Sequence, residues 1–140
     1  MQRSKIEVFI HYVWATKNRH PYLEDPLVER RVHRCIQAQA AKLGCIVLDI
    51  NGMPDHVHII LKMPSTTTIA FIAQKMKGVS STFARDKLFD GDAFDWQEGY
   101  AALSVSPNQV QKVRHYVQNQ KQHHAQGTTQ TAWEDYDEAA

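Results

Sequence analysis

Cysteine is scarce: Cys35 and Cys45 are the only two in 140 residues. That is too few for a disulfide framework and gives no zinc-ribbon spacing, so both are read as small buried or half-buried thiols in a reducing compartment. No apolar run approaches the ~20 residues of a membrane-spanning helix. The opening Met1-Gln2-Arg3-Ser4-Lys5 leads into a strand-like stretch instead of the apolar run of a secretory signal. The expectation is a cytoplasmic chain without a membrane partner. Glycine (6) and proline (5) are sparse, which excludes collagen-like and low-complexity classes. A strong charge of one sign is missing too: the net charge is +1, so composition alone does not point to nucleic acid.

What is present is ordinary globular composition, 43% hydrophobic and 22% charged, in a length suited to one domain. The charge is unevenly spread. Residues 128 to 140 contain Glu134, Asp135, Asp137 and Glu138 and no Lys or Arg, leaving 16 basic against 11 acidic residues, or +5, on the rest. The expected organisation is one domain over 1–127 and an acidic tail over 128–140, either extended or a short extra helix. The body can carry a modest basic field.

Residues 6–15, rich in β-branched and aromatic types, predict a strand, and apolar residues on both its faces make it a central one. Asp25-Pro26 is a cap-plus-proline helix start, with Val28, Val32, Cys35 or Ile36, Gln39 and Leu43 at helical spacing up to Gly44. Strands are expected over 45–50 and 56–62, joined by a turn at Asn51-Gly52-Met53-Pro54-Asp55. Thr66, Thr67 or Thr68 can cap a second helix bearing Ile69, Ile72, Met76, Val79 and Phe83. A loop with Phe94 and Trp96 precedes a fourth strand over 100–105. Ser106-Pro107 then opens a third helix running to about His124. The order β-α-β-β-α-β-α predicts an α+β fold: a ferredoxin-like, RRM-like antiparallel sheet of four or five strands, helices on one face, plus a C-terminal helix.

His56 and His58 alternate on one strand, so both face the same side while Val57 and Ile59 face the other. Two neighbouring imidazoles are half of a metal site, one that by ligand softness suits zinc, copper or manganese, and equally two polar residues at a sheet rim. On the third helix, at ~100° per residue, Val110, Val113 and Val117 form the buried stripe, flanked by Tyr116, Gln120 and His123. Tyr116 and Gln120, four apart, can bring a phenol and an amide oxygen to one place.

Asn-Gly-Met-Pro-Asp-His-Val-His-Ile-Ile (51–60), with its His-hydrophobe-His core, resembles the metal motif of the single-tyrosine HUH transposases. Trp96-Gln97-Glu98-Gly99-Tyr100, then Ser104-Val105-Ser106, then Arg114 to His124 resemble the same family's C-terminal half. The three lie in series between Phe9 and His124. The Trp-Gln-x-Gly-Tyr block and the Gln-x-x-His-His ending are similar to the REP-associated tyrosine transposase branch.

The resemblance implies a metal-dependent enzyme that nicks and rejoins single-stranded DNA at hairpin or palindromic ends. By that resemblance His56, His58 and Gln120 match the ligands of Mg2+ or Mn2+, and Tyr116 matches the nucleophile that forms a 5′-phosphotyrosine. The C-terminal helix is then the one carrying the tyrosine. His123 and His124 match the pattern without an assigned role. Candidate phosphate contacts are Arg19, Arg30, Arg31, Arg34, Lys75, Lys77, Arg85, Lys112 and Arg114, each equally readable as a solvated charge. Trp96, Trp14 and Tyr100 are candidate base-stacking groups, with core packing the better reading for Trp14. A homodimer with His56 of one chain and Tyr116 of the other in one site is expected, a monomer being the branch alternative. The rival functions are a non-catalytic hairpin-binding module and a zinc hydrolase built on His56, His58 and His123 or His124.

Overall fold

A computed structural model of the chain describes residues 4–91 and 93–134. Asp135, Asp137 and Glu138 of the acidic tail lie outside the described residues. Four strands, β1 (Val8–Ala15), β2 (Ile46–Met53), β3 (His56–Met63) and β4 (Ala101–Val105), form one sheet in the order β2-β3-β1-β4. All pairings are antiparallel: β1 runs against β3 from Val8↔Met63 to Ala15↔His56 and against β4 from Phe9↔Val105 to Val13↔Ala101. The protein is thus α+β, and β1 and β3, buried on both faces along most of their length, occupy the two inner positions.

Helices α1 (Pro26–Lys42) and α2 (Ile69–Lys87) cover one face. Their starts follow the cap chemistry of the sequence. The Asp25 carboxylate accepts from the Leu27 N–H with Pro26 in the first turn, and Thr68 Oγ1 accepts from the Phe71 N–H. Against them the sheet sets Ile10, Tyr12, Trp14, Val57, Ile59 and Leu61, which join Val32, Ile36, Ile72 and Met76 in one buried cluster. Burying each such large apolar side chain contributes about 1.5–3 kcal/mol.

The opposite face carries Ile60 and Val105, which pack on Val110, Val113 and Val117. These valines are the predicted stripe, now on α3 (Val110–Gln118), which α4 (Gln120–Gln126) and the four-residue α5 (Thr131–Glu134) follow. Polar contacts pin α3 to the β2 edge. Arg114 Nε donates to Asp49 Oδ2 at 2.6 Å, and Asn51 Nδ2 donates to the Gln118 carbonyl at 3.0 Å.

Three sequence expectations need correction. The third helix does not run unbroken to His124: Asn119 leaves helical geometry (φ −106°, ψ 25°) while its side-chain amide donates to the His115 carbonyl at 2.7 Å. An Asn side chain bonding the preceding turn competes with the backbone ladder, which ends α3 and restarts the chain as α4. At the other end Ser106 makes no side-chain cap, and Pro107–Gln109 is a 3-10 turn. The β2–β3 turn is only Pro54-Asp55, because Gly52 lets the strands stay paired to Met53↔His56. A Cβ on Gly52 would lie 2.2 Å from the His56 carbonyl oxygen.

Trp96, read as a base-stacking candidate, is buried, its indole N–H donating to Ser80 Oγ at 2.9 Å and its ring edge-on to Trp14. Its place in the main core answers to that packing.

Candidate active site

The site is built where the first residues of β3 meet the α3–α4 junction. His56 and His58 lie on the α3 face of the sheet, 2% and 0% exposed, because alternation puts their intervening Val57 in the main core. Tyr116 projects from α3, its ring 5.9 Å from that of His58 and 72° to it. Gln120, fully buried at the start of α4, brings Oε1 to 3.4 Å from His56 Nε2. The sequence thus names four side chains that the fold places together.

Three further residues complete the cluster. Glu134, on α5, puts Oε1 2.9 Å from His58 Nε2 and 3.3 Å from His56 Nε2, while its Oε2 accepts from the Tyr116 hydroxyl and, at 3.2 Å, from Gln120 Nε2. His124, one turn after Gln120, lies with Nε2 3.1 Å from Gln120 Oε1 and 3.5 Å from Glu134 Oε1. His11, on β1, meets His58 from behind, Nε2 to Nδ1 at 2.8 Å. The Gln130 backbone N–H also donates to Tyr116 Oη at 3.0 Å. His123 stands apart from the donors: its ring stacks on Tyr116 at 4.6 Å, and Nδ1 bonds Thr128 Oγ1.

The electrostatics follow from this packing. Burial opposes a charge on His56, but the bonds to Asp55 and Glu134 outweigh it and lift its pKa to about 9. Burial raises the Glu134 carboxyl, yet hydrogen bonds from His56 and His58 overcome that and hold it well below the carboxylate range. Burial, aided by the bond to Glu134, pushes Tyr116 up to about 12. Burial lowers His58 and His124. The Asp55 carboxylate bonds His56 Nδ1 at 2.8 Å, leaving Nε2 to face the cluster.

The donor set fits a divalent ion. Ligand atoms of His56, His124 and Glu134 all lie within 4.8 Å of one another. The separations near 3 Å among imidazole, amide and carboxylate donors are those of adjacent positions around one ion at bond lengths of roughly 2.1 Å.

The IS200-like transposase family model matches residues 4–120. The chain belongs to this family. It is therefore read as a transposase, an enzyme that acts on DNA. The ISDra2 transposase TnpA of Deinococcus radiodurans is 27% identical over 117 residues, spanning 79% of this chain and 81% of the relative. A crystal structure assigned as a transposase from D. radiodurans R1 superposes with a TM-score of 0.64 at 25% identity, covering 86% of this chain and 95% of that one. The structure of a REP-associated tyrosine transposase bound to a REP hairpin shares the fold, with a TM-score of 0.65 at 12% identity, over 92% of this chain and 74% of that one.

The basic candidates of this transposase separate by position. Arg19 pairs with Asp55 at 3.5 Å, beside His56. Lys112 is exposed on α3, and Arg114 is tied to Asp49. Lys77 donates to the Gln97 and Gly99 carbonyls, and Arg85 to the Phe94 carbonyl, so both hold the 94–99 loop. Arg31 lies over the Phe83 ring and Lys75 over Phe71, while Arg30 and Arg34 are exposed on α1. These four sit on the helices of the other sheet face. Among the described residues no helix is long and apolar enough to cross a membrane.

His11 and Glu134 were missed by sequence reasoning. Strand alternation gives the face of His11 only once the β1–β3 pairing is known, and nothing local marks one acid of an acidic tail as a site residue.

Proposed function

We propose that this transposase nicks and rejoins single-stranded DNA at hairpin or palindromic ends through a covalent 5′-phosphotyrosine on Tyr116. The observation that carries the reading is the Glu134 carboxylate, which touches Tyr116 Oη with one oxygen and His56 and His58 Nε2 with the other. Nucleophile and ligand cluster therefore face each other across a gap one small oxyanion wide. A scissile phosphate entering that gap takes the place of the carboxylate.

His56, His58 and Gln120 would hold Mg2+ or Mn2+, with His124 within reach; when bound, the ion supplies positive charge to a non-bridging phosphate oxygen. Tyr116 Oη attacks phosphorus, losing its proton as the Oη–P bond forms. The P–O3′ bond breaks, and the leaving oxygen takes a proton to become a 3′-hydroxyl. The phosphotyrosine bond conserves the energy of the phosphodiester, so a later hydroxyl can reverse the step. Because Tyr116 is held protonated, loss of the proton belongs to the attack itself.

One chain supplies every named group, so we place the site within a single chain whether or not the protein dimerises. Arg19, Lys112 and Arg114 lie on the elements around the site and are our choice among the basic residues for phosphate contacts. The compartment that fits this chemistry is the cytoplasm.

The test is incubation of the protein and Mn2+ with end-labelled single-stranded hairpins. A labelled adduct that survives denaturation and disappears in Tyr116→Phe supports the reading. Binding without an adduct favours a hairpin-binding module. Cleavage that survives Tyr116→Phe with bound zinc favours a hydrolase, for which the neighbouring His124 gives a third imidazole.

A further inference from the structure

A nitrogen can serve as a ligand only through its lone pair, so where the protons sit on His58 decides whether it can hold an ion. Its Nε2 faces the Glu134 carboxylate at 2.9 Å and its Nδ1 faces His11 Nε2 at 2.8 Å. Both rings are 0% exposed, a setting that disfavours an imidazolium. An ionised carboxylate only accepts hydrogen bonds. The one proton of His58 is therefore on Nε2, its Nδ1 is bare, and His11 donates to it from Nε2–H.

A His58 that ligates through Nε2 needs the reverse arrangement. Its proton moves to Nδ1 and must then be accepted, which His11 can do only with a bare Nε2 and its own proton on Nδ1. Each ring still carries one proton, so the exchange leaves the charge of the pair unchanged. The usual partner behind a ligating histidine is a carboxylate or a carbonyl, which accepts and never donates. An imidazole does either. Among the described residues His11 Nδ1 has no hydrogen-bond partner, so none of them ties its proton to one nitrogen on that side.

We propose that His11 is a positioning residue for His58, whose two-way hydrogen bond keeps the His58 ring facing the ligand cluster both when Nε2 carries a proton and when it is bare. This rests on the metal reading given above, since it assigns His58 a ligand role. The β1–β3 register fixes the pair in place, with His11 opposite Ile60 and His58 opposite Val13 on adjacent, offset positions of one sheet face.

The experiment has two arms on the full chain. In wild-type protein, long-range 1H–15N spectra distinguish the two tautomers. We expect Nε2–H on both rings without metal and Nδ1–H on both at saturating Mg2+. In the second arm Mn2+ binding is measured by calorimetry. His11→Phe, which keeps an aromatic ring of somewhat larger size but cannot hydrogen-bond, should weaken Mn2+ by roughly 10- to 100-fold in a chain that still folds. His11→Gln, whose amide can donate or accept, should recover most of the affinity. Unchanged Mn2+ affinity in a folded His11→Phe, or a His58 tautomer that Mg2+ does not alter, overturns the proposal and leaves the metal reading standing. If wild type and His58→Ala take up Mn2+ alike, or neither does, the ligand role of His58 fails and the proposal with it. Should His11→Phe not fold, the wild-type spectra decide.

Discussion

The Tyr116 and His58 rings meet at 5.9 Å, although α2 and β4 separate their elements along the chain. The phenol is buried against His58, His123 and Trp133, so removing its oxygen leaves the packing intact. Tyr116→Phe should abolish covalent attachment to DNA while keeping the melting temperature and hairpin affinity near those of wild type. A denaturing gel of the labelled adduct, beside a binding titration, checks this. An adduct formed by the variant would assign the nucleophile elsewhere.

Mn2+ binding should be lost in His56→Ala and in His58→Ala and only weakened in Gln120→Ala, since other donors stand beside the amide oxygen. Each alanine costs less stability than a core truncation, which runs to about 2–5 kcal/mol. Calorimetry and urea denaturation of the same samples measure both effects. Full Mn2+ affinity in the two histidine variants would remove them from the ligand set.

If the site is built within one chain, as proposed, a mixture of His56→Ala/His58→Ala chains with Tyr116→Phe chains should stay inactive. Recovery of cleavage, with exchange between chains monitored by differently tagged copies, would show that the two halves come from different chains.

Gly52→Ala should disturb the site from outside it. The added carbon would sit 2.2 Å from the His56 carbonyl oxygen and 3.0 Å from Val57 Cα, both backbone atoms of the strand that aims the histidines. The expected cost is about 1–3 kcal/mol, accompanied by weaker Mn2+ binding. A variant with wild-type stability and affinity would show that this close approach is dispensable.

Stability should fall on the acid side through His33, a residue the proposed chemistry does not use. This ring is buried on α1, its Nε2 has no hydrogen-bond partner among the described residues, and desolvation lowers its pKa to about 3 from 6.5. Since protonation then favours the unfolded chain, the stabilisation is complete above pH 6.5 and is lost as the pH falls toward 3, by about 2 kcal/mol at pH 5. Urea denaturation at pH 7.5 and 5 should show a smaller acid loss in His33→Leu than in wild type. Equal losses would mean that His33 is not held neutral.

The residues legible from the sequence are those whose signal is local. Alternation placed His56 and His58 on one face, Asp25-Pro26 and Thr68 marked helix starts, and the Val110, Val113 and Val117 stripe set which side of α3 is buried. The illegible parts depend on tertiary geometry or on competition between near-equal options. At Asn119 the side-chain amide joins the backbone N–H on the His115 carbonyl where α3 ends, a local arrangement that helical periodicity does not mark. The contact of His11 with His58 depends on a strand register, and that of Glu134 with Tyr116 on where a polar segment folds back.

The alternation along β3 has a consequence for error control. Its odd-numbered residues Val57, Ile59 and Leu61 supply the main core, and its even-numbered His56 and His58 face the proposed site. A slip of one residue against β1 would turn two imidazoles into the hydrophobic layer and expel three aliphatic side chains from it. Correct folding and an assembled histidine cluster therefore stand or fall together: a chain that pairs its strands wrongly loses its core in the same event that scatters the site.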